Sequence, residues 1–260
     1  MISNFQPGKL LILLVMLLGV ASAEPFGGRD GCLLMLELKS GKVLREINPR
    51  RCQQRFSPCS TFKVAAAAMA FDAGIMETDR RFGWDGTVDP RPECNQDQTP
   101  ASWMEHSVIW VTQVLTRELG LASVKRYLKD FEYGNQDFSG GLTQAWLTSS
   151  LRISAREQAQ FMRRLLLGQL PILPTAQRQT VGILVRQQSP RASLAGKTGS
   201  GRLPGGRQLG WYIGHLRTHR GQEAVVVINT TDRRSGQTSG PAGLNARSLL
   251  QTWLREQGLW

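Results

Sequence analysis

The chain has 260 residues, of which 41% are hydrophobic, and it carries a formal charge of +12 at pH 7. This length accommodates one large domain, or two layers that pack closely together. The excess charge comes mainly from arginines scattered along the chain, because there are only seven lysines. No nucleic-acid-binding motif accompanies these arginines, so the charge favours acidic ligands and argues against DNA or RNA as a partner.

The N-terminal segment has the pattern of a secretory signal peptide. Lys9 precedes an apolar run over residues 10–21, and small residues follow up to Ala23. This pattern predicts a signal peptide over residues 1–23. A membrane anchor is the alternative, but the run is shorter than the roughly 20 apolar residues of a spanning helix. We therefore expect a periplasmic single domain over residues 24–260, with no membrane segment after cleavage.

The domain is predicted to begin with a hairpin, whose strands cover residues 33–38 and 43–47. The chain contains four cysteines, Cys32, Cys52, Cys59 and Cys94. Their spacing does not match a zinc site, and four cysteines allow three disulfide connectivities. A bridge between Cys32 and Cys52 is favoured, because it would close the open end of the hairpin in an oxidising compartment. Cys59 is expected to be a small buried residue rather than a reactive thiol.

Helices dominate the middle of the chain and strands return near its end. The first predicted helix runs from Ser60 to Gly74, and after a loop at 78–100 two more follow over 101–120 and 121–131. The Ser154–Glu157 capping box begins a fourth helix, which ends at Gly168, and Pro174 begins a fifth. Strands over 192–198, 209–216 and 224–228 and a terminal helix over 242–256 follow. Because strands at both ends must pair across a helical middle, we expect an α/β (α+β) fold, an antiparallel sheet flanked by helices with a helical subdomain.

The sequence Ser-x-x-Lys occurs once, as Ser60-Thr61-Phe62-Lys63. A serine hydroxyl is a poor nucleophile until a base takes its proton. A lysine one helical turn later can be that base if it is held uncharged, and burial favours the uncharged amine. The apolar residues 64–70 after Lys63 are consistent with such burial. The pattern predicts a reactive centre at the start of a helix.

Three further motifs gain meaning only in combination with this pair. Ser107-Val108-Ile109 is predicted to lie inside a helix, where a serine on its own would be neutral. Lys197-Thr198-Gly199 ends a predicted strand and combines a positive charge, a hydrogen-bond donor and room for a ligand to approach the backbone. Trp146-Leu147 on its own would indicate only core packing.

In their order along the chain, these motifs resemble those of the penicillin-recognising serine enzymes, and most closely the class D β-lactamases, the oxacillinases. The resemblance covers nearly the whole mature chain. It also includes Tyr133-Gly134-Asn135, Gly210-Trp211-Tyr212-Ile213-Gly214, Pro241-Ala242-Gly243 and Ala246-Arg247. It implies a periplasmic hydrolase that opens the β-lactam amide of penicillins, including those of the oxacillin type, and so gives antibiotic resistance.

The resemblance also implies the catalytic roles. Ser60 would attack the lactam carbonyl, and Lys63, N-carboxylated by carbon dioxide, would be the general base of acylation and deacylation. Ser107 would relay a proton to the lactam nitrogen with electrostatic support from Lys197. The backbone N–H groups of Ser60 and Ser200 would form the oxyanion hole. Apart from carbon dioxide or bicarbonate, no cofactor or metal is expected.

Two further groups of residues follow from the same resemblance. The substrate carboxylate would be bound by Lys197, Thr198, Gly199 and Arg247, with position 245 as the alternative place for a positive charge near the C-terminus. The pocket of the carboxylated lysine would be lined by Phe62, Ile109, Trp146 and Leu147. An apolar residue at position 109, where related classes have asparagine, argues against a separate glutamate base.

The chain departs from the family pattern at a few places. Ile109 stands where valine is usual, the stretch over 136–145 is shorter than in many relatives, and Ser200 stands where an aromatic residue is common. Three alternatives to the lactamase remain open: a β-lactam sensor that stays acylated, a cell-wall transpeptidase or carboxypeptidase, and an inactive relative that binds an anionic polymer. The partners expected are β-lactams, and the assembly is expected to be a monomer or a homodimer.

Overall fold

A six-stranded sheet forms the centre of the protein in the computed structural model, which describes residues 25–260. The strand order is β2-β1-β6-β5-β4-β3, and all neighbouring strands are antiparallel. The strands are β1 (Asp30–Glu37), β2 (Val43–Ile47), β3 (Val185–Gln188), β4 (Ala192–Arg202), β5 (Gln208–Thr218) and β6 (Glu223–Thr231). The predicted signal peptide lies outside the described residues.

Helices cover both faces of this sheet. They are α1 (Pro49–Gln53), α2 (Phe62–Asp72), α3 (Pro100–His106), α4 (Ile109–Asp130), α5 (Ala155–Leu166), α6 (Pro174–Gly182) and α7 (Ala242–Glu256), with short 3₁₀ turns at Cys59–Thr61, Pro92–Cys94 and Pro204–Gly206. Helix α7 packs on one face against β4, β5 and β6, and α5 packs on the other against β1, β5 and β6. Helix α2 lies beyond that second face, between α4 and α6. In the described part of the chain, no helix is long and apolar enough to cross a membrane.

Strand β1 shows why both faces are covered. Its side chains alternate between the two faces, as the period of two in a strand requires. Leu33 and Met35 join the core under α7, whereas Leu34 and Leu36 join the larger core under the other helices. Because both faces are apolar, both must be packed against helices, and the prediction of an antiparallel sheet flanked by helices is confirmed.

The prediction that Ser107 lies inside a helix is wrong. Ser107 has left-handed backbone angles, φ 59° and ψ 36°, and separates α3 from α4. The N–H groups of Ser107 and Val108 both donate to the carbonyl of Trp103, which ends α3, and α4 begins at Ile109. No glycine or proline marks this break in the sequence, so the helical pattern continues across it. At Gly120 the chain is again non-helical, where two helices were expected to meet.

The disulfide between Cys32 and Cys52 is present, with the two Cα atoms 5.3 Å apart. It joins β1 to α1, which follows directly on β2. Cys59 and Cys94 are both free and buried. Burial raises the pKa of the Cys59 thiol to about 12, so this sulfur stays protonated at neutral pH, as expected of a residue used for packing.

Candidate active site

Ser60 lies in the 3₁₀ turn Cys59–Thr61, which leads directly into α2. The turn is held from the side of the helical subdomain, because the N–H of Cys59 donates to the carbonyl of Trp146 at 3.0 Å. It is held from the side of the sheet as well, where the indole N–H of Trp211 in β5 donates to the carbonyl of Ser57 at 3.0 Å. The hydroxyl of Ser60, itself partly exposed, is therefore carried by a backbone that is fixed on both sides.

A buried hydrogen-bond chain supports the same turn from behind. The hydroxyl of Thr61 donates to the carbonyl of Pro58 at 2.7 Å and accepts a bond from the side-chain amide of Gln158 at 2.7 Å. Thr61 and Gln158 are both fully buried. Gln158 was not among the residues predicted from the sequence, since a glutamine on an amphipathic helix gives no signal that it faces inward.

Lys63 is fully buried in α2, where every residue from Phe62 to Phe71 is buried. Burial lowers the pKa of its amine well below the usual 10.5, and the positive charges of Lys197 and Arg91 lower it further. The thiols of Cys94 and Cys59 act weakly in the opposite direction. Burial and the positive charges both favour the uncharged form of the amine one turn from Ser60, which is the form that can accept a proton or react with carbon dioxide.

Aromatic rings form a wall beside this lysine. The ring of Phe62 stacks on Trp146 with centroids 5.3 Å apart, and Phe138 and Tyr133 pack on Phe62 at 5.8 and 6.1 Å. All four side chains are buried. Among residues 25–260, the amine of Lys63 and the indole N–H of Trp146 are both buried without a hydrogen-bond partner. Such orphaned polar atoms are costly, so each of the two is open to a polar partner that the described residues do not supply.

Leu147 and Ile109, the other two residues predicted to line the pocket, are both only partly buried. Leu147 is partly buried and packs against the main hydrophobic core, next to Trp146. Ile109 is the first residue of α4 and is also partly exposed. Ile109 lies two residues after Ser107, so both belong to the junction between α3 and α4.

Lys197 lies on β4, on the face that packs against the helical subdomain, since its cross-strand neighbour Ile213 belongs to that core. It is 2% exposed, and its amine donates to the carbonyl of Thr198 at 3.2 Å. Burial, followed by the charges of Arg91 and Arg247, lowers the pKa of the Lys197 amine to about 7. At neutral pH this lysine can therefore both hold and release a proton.

Gly199 lets β4 approach the nucleophile turn. A Cβ added at this position would lie 2.9 Å from the carbonyl oxygen of Pro58 and 3.2 Å from the backbone nitrogen of Thr61. Real Cβ atoms essentially never come within 3.0 Å of such an atom, so only glycine fits without a shift. Gly243 in α7 packs in the same way on the backbone of Gly199. The Lys197–Gly199 motif and Ser60 are thus brought together by direct backbone contact.

Ser200 lies in β4 and Arg247 in α7, the helix that packs on that strand. The hydroxyl of Ser200 accepts a bond from the N–H of Gly243 at 2.8 Å, which links the strand to the helix. With the Gln187 amide turned, its oxygen accepts from Nη1 of Arg247 at 2.6 Å. The charge of Arg247 acts on Lys197, so the arginine lies within electrostatic reach of that amine.

Arg91 is the charged residue at this site that the sequence analysis missed. Its guanidinium forms two 2.9 Å bonds to the carboxylate of Asp89 and one of 2.8 Å to the carbonyl of His106, the residue before Ser107. Its positive charge lowers the pKa of both Lys63 and Lys197. The arginines of this chain are many and scattered, so nothing in the sequence distinguishes this one from the others.

The comparisons with known proteins agree with this arrangement. The family model described as the penicillin binding protein transpeptidase domain matches residues 31–250. The β-lactamase OXA-1 of Escherichia coli is 39% identical over 238 residues, which are 87% of this chain and 86% of that protein. The solved structure of the class D β-lactamase BAT-2 superposes with a TM-score of 0.81 at 30% identity, covering 91% of this chain and 94% of the other.

One relative is a regulatory protein. The regulatory protein BlaR1 of Bacillus licheniformis is 36% identical over 215 residues, which are 82% of this chain but only 34% of that protein. The matches to OXA-1 and BAT-2, by contrast, extend over most of both chains in each pair. Fold, motif geometry and sequence identity lead to one conclusion: the chain belongs to the class D β-lactamases, enzymes that hydrolyse β-lactams.

Proposed function

We propose that this enzyme hydrolyses penicillins, including those of the oxacillin type, through an acyl-enzyme on Ser60, with N-carboxylated Lys63 as the general base. The observation that carries the proposal is the fully buried amine one helical turn from a fixed serine, whose burial lowers the pKa of that amine well below 10.5. An ammonium group could not accept the serine proton, whereas a base held next to the hydroxyl activates it.

The pocket fits a carboxylated lysine. Carboxylation forms a bond between Nζ of Lys63 and the carbon of carbon dioxide, and the amine releases one proton to solvent. The product is a carboxylate-like base, and it needs hydrogen-bond donors because a buried charge is otherwise costly. The orphaned indole N–H of Trp146 is a suitable donor. The apolar rings around it keep out the water that would compete for that bond.

The reaction then needs two transfers at Ser60. In acylation, Ser60 Oγ bonds to the lactam carbonyl carbon, the bond from that carbon to nitrogen breaks, and the serine proton reaches the nitrogen. In deacylation, a water gives a proton to the Lys63 base and attacks the ester carbon. The bond from that carbon to Ser60 Oγ then breaks, the base returns the proton to Oγ, and the product acid leaves. The N–H groups of Ser60 and Ser200 would hold the oxyanion in both steps.

The other motif residues would guide the proton and the substrate. Ser107 would pass the proton to the lactam nitrogen, and the charge of Lys197 would support that transfer. Arg247, with Thr198 and Gly199, would bind the substrate carboxylate, to which arginine and a backbone opening are well suited. The excess of positive charge at the site matches an anionic substrate.

The signal-peptide pattern before residue 24 supports export to the periplasm, the compartment in which β-lactams reach their targets. The disulfide between Cys32 and Cys52 is consistent with an oxidising compartment. A β-lactamase in that compartment would give resistance.

Steady-state hydrolysis of oxacillin and a chromogenic cephalosporin by the purified protein, with and without added bicarbonate, tests the proposal. Many turnovers per enzyme, faster with bicarbonate, are the expected result. A single stoichiometric burst would instead favour the sensor, the second candidate, which is suggested by the match to BlaR1. Rapid turnover that bicarbonate never changes, even after removal of dissolved carbon dioxide, would argue against a carboxylated Lys63.

A further inference from the structure

The start of α5 is tied to the chain that leads into the nucleophile turn. Phe56 and Ile153 exchange two backbone hydrogen bonds, of 3.0 and 2.8 Å. Ser154 then caps α5, and its capping partner Glu157 also accepts bonds from Nε and Nη2 of Arg55. These contacts fix α5 relative to the residues just before the nucleophile, so a side chain in the first turn of the helix can reach the nucleophile turn from behind.

Gln158 is the side chain that does so. Its amide nitrogen donates to Oγ1 of Thr61 at 2.7 Å, and this hydroxyl donates in turn to the carbonyl of Pro58 at 2.7 Å. The backbone N–H of Thr61 donates to the same carbonyl at 3.2 Å. Because Pro58 and Thr61 lie on either side of Ser60 in the chain, the series of bonds that starts at Gln158 spans the nucleophile.

The atoms that Gln158 holds are also the atoms on which β4 rests. A Cβ added at Gly199 would lie 2.9 Å from the carbonyl oxygen of Pro58 and 3.2 Å from the backbone nitrogen of Thr61. A shift of the nucleophile turn would therefore change its spacing from the strand that carries the Lys197–Gly199 motif. Displacements of this kind are costly in rate, because reacting groups must meet in a narrow range of distances and angles.

The hydrogen bonds of Gln158 show that stability alone does not account for this contact. The residue is fully buried, and its Oε1 has no hydrogen-bond partner among residues 25–260. A buried acceptor without a partner costs at least as much free energy as one ordinary hydrogen bond returns. A thioether of similar length would fill the same space without that cost. A polar group that is kept at such a cost points to a role in the site.

We propose that Gln158 is a positioning residue of the active site, which acts on Ser60 through Thr61 and Pro58. Its amide fixes the nucleophile turn against β4, so that Oγ and the backbone N–H of Ser60 meet the lactam carbonyl in the orientation that acylation needs. This inference rests on the proposed acyl-enzyme on Ser60. It gives α5 a part in catalysis, in addition to covering the sheet.

Gln158→Met tests the inference, because it keeps the length of the side chain and removes the amide. We expect the acylation rate constant, measured by single-turnover stopped flow with a chromogenic cephalosporin, to fall roughly ten- to hundredfold. The dissociation constant of the substrate should stay within about twofold of the parent value, because the buried amide does not touch the substrate. The midpoint of urea denaturation should equal or exceed that of the parent, because the unsatisfied acceptor is gone.

Thr61→Val tests the route of the effect. It removes the hydroxyl that accepts the bond from Gln158 and keeps the shape of the side chain. If Gln158 acts through Thr61, adding Gln158→Met to Thr61→Val should slow acylation by no more than about twofold further, since coupled residues are not additive.

Gln177→Met is the matched control, because Gln177 is a buried glutamine whose amide is satisfied at both ends. Its nitrogen donates to the carbonyls of Leu170 and Ile172 at 3.1 and 3.2 Å, and its oxygen accepts from the N–H of Leu170 at 3.0 Å. Gln177→Met should therefore be less stable than the parent and should acylate at the parent rate.

The inference is overturned if Gln158→Met behaves as Gln177→Met should, with lower stability and an unchanged acylation rate constant, or if it does not fold. It is also overturned if the loss of rate in Gln158→Met adds in full to that in Thr61→Val. A parent enzyme that is never acylated would instead overturn the proposed acyl-enzyme on Ser60, so the two failures are distinguishable.

Discussion

Phe62 and Trp146 stack with their ring centroids 5.3 Å apart and their planes inclined by 20°. The two rings join the helix that carries Lys63 to the segment whose backbone carbonyl holds Cys59. The same tryptophan therefore has two separable roles. Its ring is part of the packing, and its N–H is buried without a hydrogen-bond partner among the described residues.

Replacing Trp146 by phenylalanine should separate those roles. The stack with Phe62 is retained, but the proposed donor to a carboxylated Lys63 is lost. A hydrogen bond to a charged group is worth about 1.5–3 kcal/mol, so the carboxylation equilibrium should weaken roughly 10- to 100-fold. Activity without added bicarbonate should fall accordingly and be restored largely by bicarbonate, as measured by steady-state hydrolysis.

Trp146→Ala is the comparison for this prediction. It removes the ring as well, so we expect the same dependence on bicarbonate together with a loss of about 3–5 kcal/mol in the free energy of unfolding. A Trp146→Phe enzyme whose response to bicarbonate equals that of the parent would show that the indole N–H does not hold the carbamate.

Lys63→Met should lose activity and gain stability. The buried amine has no hydrogen-bond partner among the described residues, so its burial costs free energy that a thioether of similar shape would not. We expect loss of turnover and a gain of about 1–3 kcal/mol in the free energy of unfolding, measured by urea denaturation in buffer free of carbon dioxide. Stability clearly below that of the parent would contradict our account of the pocket.

Arg247→Gln should shift the pH dependence of catalysis through Lys197. The pKa of Lys197 is about 7, and Arg247 is one of the charges that lower it. If the charged lysine is required, kcat/KM falls as the pH rises through that pKa. Loss of Arg247 raises the pKa and moves the fall to higher pH, by roughly 0.5 unit or more.

The control is Arg255→Gln, since Arg255 is an exposed arginine near the end of the same helix, α7. The fall of kcat/KM at high pH in Arg255→Gln should occur at the same pH as in the parent. An Arg247→Gln enzyme with an unshifted limb would mean that Lys197 does not govern activity in this pH range. A lower kcat/KM throughout is expected for Arg247→Gln if, as proposed, Arg247 also binds the substrate carboxylate.

Gly199→Ala should damage the site by moving β4 away from the nucleophile turn. The added Cβ would lie 2.9 Å from the carbonyl of Pro58. We expect a loss of about 1–3 kcal/mol in the free energy of unfolding and, because small displacements of reacting groups are costly, a fall of about 100-fold in kcat/KM. Gly83→Ala is the control, because a Cβ at Gly83 meets nothing within 4 Å. Equal activity of the two variants would contradict the contact.

The sequence predicted those parts of the fold that depend on local periodicity. The strand expected over 33–38 is found as β1, and the apolar run after Lys63 is buried in α2. It failed at the Ser107 break, because a left-handed serine has no mark of its own. It also missed β3, whose side chains are largely exposed and polar, and which exists because it pairs with β4.

The candidate site also contains residues that could be predicted from the sequence and residues that could not. The residues in recognisable motifs, such as Ser60 and Lys197, could be named from the sequence together with roles that stay predictions. Gln158 and Arg91 could not, because each acts through a contact between segments far apart in the chain or between a loop and a helix end. Such contacts depend on the tertiary structure, and neither glutamine nor arginine is unusual where these two occur.

The most direct test of the central claim is the mass of the intact protein after mixing with a penicillin, followed over time. Our account predicts that the parent gains the mass of one penicillin on Ser60 and returns to its free mass once the substrate is consumed. Lys63→Ala, if acylated, should stay acylated, and Ser60→Ala should never gain the mass. A parent that stays acylated after the substrate is exhausted, or a Ser60→Ala enzyme that turns over, would contradict it.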